Sequence, residues 1–60
     1  MTHYSVLVRE KDGKLLGRLT PKGYTTKRRV HAAMMSKEQA DRVSEEINEE
    51  GVYLAKAIKF

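Results

Sequence analysis

Residues 24–47 set a strand-like run directly against a helix start, with no spacer between the two. Tyr24 to Met35 reads as one long strand, basic in its first half and apolar in its second. Ser36 follows as an N-cap, because its hydroxyl can accept a bond from a free N–H of the first helical turn. Gln39 stands three residues on, as a capping box requires. Ala40, Val43 and Ile47 then form an apolar stripe at spacings of three and four. Asp41, Arg42, Glu45, Glu46, Asn48 and Glu49 cover the rest of the helix. The pairs Glu38–Arg42 and Arg42–Glu46 attract, whereas Glu45–Glu49 and Glu46–Glu50 repel. Gly51 ends the helix, since glycine takes a positive φ without steric cost. A strand that enters a helix without a loop turns a corner, and the other segments must pack around it.

Those segments read as strands. Tyr4, Val6 and Val8 alternate with Ser5, Leu7 and Arg9, so the two sets point to opposite faces. Asp12-Gly13 is a hairpin turn. Lys14 to Thr20 returns as the second strand, with Leu15, Gly17 and Leu19 on one face and Gly17 expected at a bulge. Thr20-Pro21-Lys22-Gly23 is the second turn. In the third strand, Val30, Ala32 and Met34 are the parity expected to be buried. Lys27 and Arg29 should project together, with Arg28 opposite. Val52 to Phe60 is the last strand, apolar on both faces. The expected fold is α+β: a small four-stranded antiparallel sheet with one helix, in the order β-β-β-α-β, as a single domain over 1–60. One helix covers one face of such a sheet, which leaves apolar surface for a partner or a second copy.

Composition narrows the function classes. A chain of sixty residues buries only about 60% of its unfolded surface, so its core is small. With no cysteine there is no disulfide and no thiolate metal site, and dimerisation is one route to further stability. No apolar run approaches the roughly 20 residues that span a bilayer. The N-terminal residues are too polar for a signal peptide, so a soluble, cytoplasmic protein is expected. The net charge of +4 is unevenly spread. Residues 1–35 carry eight Lys and Arg against two acids, whereas residues 36–50 carry two against six. A basic sheet and an acidic helix follow.

Lys27-Arg28-Arg29 is the densest basic cluster, with Lys22 and Tyr24 just before it. Joined by Arg9, Lys14 and Arg18 from the hairpin, these residues are the candidate binding surface, suited to phosphates or to acidic side chains. The alternative is a solvated edge strand on which Lys and Arg prevent edge-to-edge association. His3 and His31 have no second ligand at metal-binding spacing. Ser36 and Ser44 could be paired with His31, but Ser36 reads as a cap and Ser44 as helix surface. Glu45 and Glu46 diverge by about 100° around a helix and do not form an acid–base pair. The expectation is no catalytic residue, no metal and no cofactor.

Two resemblances follow from these residues. Tyr4 to Glu50 resembles the arm-type DNA-binding domain at the N-terminus of phage integrases. The likeness rests on the Asp12-Gly13 hairpin, the three strands and the helix opening Met35-Ser36-Lys37-Glu38-Gln39-Ala40. It implies a sheet laid in a DNA groove, with Arg9, Lys14, Arg18, Lys27 and Arg29 as contacts. The strand at 52–60 departs from that pattern. In size, element order and charge style, the whole chain is similar to the small phage-encoded anti-CRISPR-type inhibitors. That similarity implies a non-enzymatic protein that blocks a host nucleoprotein complex in the cytoplasm of the host cell. The expected mechanism is competition. Lys22, Lys27, Arg28 and Arg29 would meet acidic side chains or phosphates, and Val30, Ala32, Val43 and Ile47 would hold the strand rigid. The alternatives are direct nucleic-acid binding by the basic sheet, and a homodimer with a structural or assembly role.

Overall fold

A computed structural model describes residues 2–60. The strands are β1 (Tyr4–Glu10), β2 (Leu15–Leu19), β3 (Thr25–Thr26) and β4 (Tyr53–Lys59), with a single helix α1 (Lys37–Glu50) between β3 and β4. They form one antiparallel sheet in the spatial order β3-β2-β1-β4. The expected α+β architecture is the observed one.

Both early turns are built alike. Glu10 and Lys14 close the first: Glu10 N–H donates to Lys14 O at 2.8 Å, and Gly13 takes φ 97°. The Asp12 carboxylate accepts from Lys14 N–H at 2.9 Å and holds the turn from within. Thr20 and Tyr24 close the second in the same way, with Gly23 at φ 93°. Each is a three-residue loop whose last residue is left-handed, the conformation glycine adopts freely.

The helix begins where its cap predicts. Ser36 Oγ accepts from Gln39 N–H at 3.2 Å, and Gly51 stops the helix in the left-handed region. The helix packs on β1 and β4. Val6, Val8 and Ala40 are the buried centre, with Tyr4, Leu16, Leu19, Met35, Val43, Ile47, Ala55 and Ala57 around them. Cross-strand register explains the grouping: Val6 faces Ala57 and Val8 faces Ala55, and partners in register share a face. Small alanines on β4 let the helix approach closely. Ser44 belongs to this interface and not to the helix surface. It is buried, and its hydroxyl donates to Ala40 O at 2.7 Å, which satisfies it within its own helix.

Two expectations about the sheet are corrected. The first concerns β2. The register slips between Val8 and Arg9, where Gly17 opposes Val8 but Leu15 opposes Arg9. Leu16 is the extra residue of a β-bulge beside Gly17. The slip separates residues expected together: Leu15 falls on the side of Arg9, whereas Leu19 packs against the core.

The second concerns the long strand from Tyr24 to Met35, which does not form. Only Thr25 and Thr26 pair with β2, and Arg29–His31 is a short 3-10 turn. Residues 24–29 are polar at both parities apart from Tyr24, so neither face gains by lying on a core. The Thr26 hydroxyl accepts from Arg28 N–H at 3.1 Å, a local bond that competes with the ladder. The chain then bends back. Ala33 N–H donates to Leu19 O, and Met35 exchanges both backbone bonds with Tyr4 at 2.8 and 2.9 Å. Residues 33–35 thereby take the place of β2 beside the start of β1. Val30 is 83% exposed and Met34 is also exposed, so of the parity expected to be buried only Ala32 is. Val30 holds no strand rigid.

Candidate binding face

The face of the sheet turned away from α1 is uncovered over much of its area. Alternation assigns to it Leu7 and Arg9 of β1, Leu54, Lys56 and Ile58 of β4, and Arg18 of β2. Leu7 lies between Arg18 and Lys56, and Arg9 between Leu15 and Leu54. Aliphatic and charged side chains thus alternate across this face, and the charges are all cationic. A shallow depression lined by Leu7, Arg9, Leu54, Lys56 and Ile58 marks it. The acids of the chain lie elsewhere, six of them in α1.

Phe60 closes one end of this face. Its N–H donates to His3 O at 2.7 Å, which extends the β1–β4 ladder by one pair. The Arg29 guanidinium carbon is 4.9 Å from the Phe60 ring centroid, and that of Arg18 is 5.9 Å away. Arg18 also donates to Phe60 O, at 3.5 Å. Both distances are in the range at which a ring face attracts a guanidinium, worth about 0.5–1 kcal/mol at an exposed site. The 3-10 turn therefore aims Arg29 at the sheet, a direction that strand alternation does not predict. Ser5, on the same side of β1, is fully buried, and its hydroxyl has no hydrogen-bond partner among the described residues.

The structure divides the expected binding residues into groups. Arg9, Arg18 and Arg29 share the open face, Arg18 and Arg29 gathered at Phe60 and Arg9 turned toward the first hairpin. Lys14 stands at the mouth of the first hairpin, where Arg9 donates to the neighbouring Gly13 O at 3.2 Å. Lys27 and Arg28 are exposed on the loop that leaves β3, and are not strand residues with opposed side chains. Lys22 is exposed in the second turn. Tyr24 lines a cleft on the helix side of the sheet and is not part of the basic face. Sequence reasoning missed Lys56, Leu7, Leu54, Ile58 and Phe60 as one surface with the arginines. Their alternation was legible, but the register that sets β4 beside β1 was not.

Among the described residues no three His, Asp or Glu side chains gather in a way that could hold a metal ion. No helix among them is long and apolar enough to cross a membrane. No protein-family model, curated protein or solved structure matches the chain.

Proposed function

We propose that this chain is a non-enzymatic binding protein, an inhibitor of the phage type that blocks a host nucleic-acid-handling complex, and that it engages its target through the open face of the sheet. One observation supports this above the others: the face interleaves Leu7, Leu54 and Ile58 with Arg9, Arg18 and Lys56. Protein interfaces join apolar contact area with arginine, which is enriched in them. The cationic groups select a target surface that carries acids. Inhibition would then be competition, the small domain covering a surface that another component of the complex needs.

A second copy docked face to face would bring two cationic surfaces together, which is unfavourable. An unlike, acidic occupant is favoured.

Direct nucleic-acid binding is the second reading, favoured by Lys14, Lys27 and Arg28, which are exposed and extend the cationic surface beyond the sheet face. Two measurements separate them. Affinity capture from a bacterial host extract should yield a stoichiometric protein complex with the wild type and none with Leu54→Glu. Anisotropy titrations with duplex DNA, single-stranded DNA and RNA, at about 50 and 200 mM salt, should show weak binding. Submicromolar nucleic-acid affinity with a steep salt dependence would replace the inhibitor reading with the second one.

A further inference from the structure

The helix leaves the β2–β3 end of its own side of the sheet uncovered, and a cleft of about 380 Å³ lies there. Leu16, Leu19 and Ile47 give it an apolar floor, and Tyr24 and Tyr53 stand at its walls. Glu50, the last residue of α1, is the one charged side chain that lines it. We propose that this cleft binds a small organic cation: an ammonium group on a ring or short apolar stem.

Each part of the lining has a role in that reading. The floor takes the apolar stem and excludes water from it. Tyr24 is 58% exposed and Tyr53 42%, so neither ring is used up by the core of the chain itself. Their π faces attract a cation and have no such attraction for an anion. The Glu50 carboxylate sits at a helix C-terminus, where backbone carbonyls add partial negative charge, and the last turn holds no basic residue. Lys11 Nζ lies 3.8 Å from where a Cβ on Gly51 would stand, so an ammonium group also fits beside this helix end. The cleft is near the lower end of the volumes that small-molecule sites occupy, about 300 Å³ and upward, which suits a compact ligand. It lies on the helix side of the sheet, apart from the proposed target-binding face, so the two readings stand or fall separately.

The test is a two-dimensional amide NMR titration of the full chain with benzyltrimethylammonium. Benzoate supplies a similar ring with the opposite charge, and a blocked lysine peptide supplies the cation from a protein. Saturable shifts at Leu19, Tyr24, Ile47 and Tyr53 with benzyltrimethylammonium are expected, with weaker binding of benzoate and of the peptide. Glu50→Gln should weaken binding roughly threefold, and Tyr53→Ala roughly fivefold. Amide positions elsewhere will report that the fold is kept. Benzoate binding as tightly, shifts that do not saturate, or insensitivity to both substitutions would overturn the assignment. Preference for the lysine peptide would overturn the small-molecule ligand and put a protein side chain in its place.

Discussion

Asn48 holds Ala55 by both of its backbone groups: its Nδ2 donates to Ala55 O at 3.0 Å and its Oδ1 accepts from Ala55 N–H at 2.7 Å. β4 is an outer strand of the sheet. In an antiparallel pair, alternate residues turn their N–H and C=O away from the partner strand. Phe60 bonds inward to His3, so Ala55, Ala57 and Lys59 face outward. Asn48 therefore satisfies one position of an open edge and ties the end of the helix to the strand that follows it. Asn48→Ala should cost about 1–3 kcal/mol, from two lost hydrogen bonds, read as a lower urea midpoint. Asn48→Asp keeps the acceptor but sets a carboxylate oxygen against Ala55 O at the C-terminal end of the helix, so it should cost at least as much as Asn48→Ala.

Gly17 lets the backbone of β3 lie close against β2. Its φ is 130°, and a Cβ there would run into the Thr26 carbonyl. Gly17→Ala should destabilise the chain by at least about 2 kcal/mol, through strain and displaced backbone together. The loss should appear in thermal unfolding, and amide exchange should show β3 released first. Gly13→Ala meets no atom within 4 Å and is expected to cost only its left-handed backbone, about 1 kcal/mol.

Ser5 is a buried hydroxyl without a partner among the described residues. Removing an unsatisfied polar group from an apolar site is favourable, so Ser5→Ala should stabilise the chain by about 1 kcal/mol. A higher unfolding midpoint with an unchanged denaturant slope is the expected result. A lower midpoint would show that the hydroxyl is bonded in solution.

Leu54 tests the proposed target-binding face with little risk to the fold, since it is 45% exposed. Leu54→Glu should shift stability by no more than about 0.5 kcal/mol. It should nevertheless abolish capture of the protein partner, because it puts an acid into a surface meant for an acidic target. Lys22→Glu, in the second turn, makes a larger charge change, of two units, away from that face. It should leave capture intact.

Local chemistry was readable along the chain. The two glycine turns, the Ser36 cap and the Gly51 stop each depend on residues within a few positions of one another, so their bonds could be anticipated from spacing. The alternation of β1 and β4 was readable for the same reason, and it led to the α+β order. The run from Tyr24 to Met35 was misread because a β segment is stabilised by its neighbours across the sheet, and these are distant in sequence. The Leu16 bulge, the Gly17–Thr26 approach and the place left open beside Tyr4 decide where that run pairs and where it bends. The candidate site divides along the same line. Charge sorting and the cationic character of Arg9, Arg18 and Arg29 were determined by the sequence alone. Only the tertiary structure set Arg29 over Phe60 and interleaved Lys56 with Leu7. It also moved Tyr24 to the opposite side, because side chains share a surface through strand register and chain crossing, which short-range spacing does not encode.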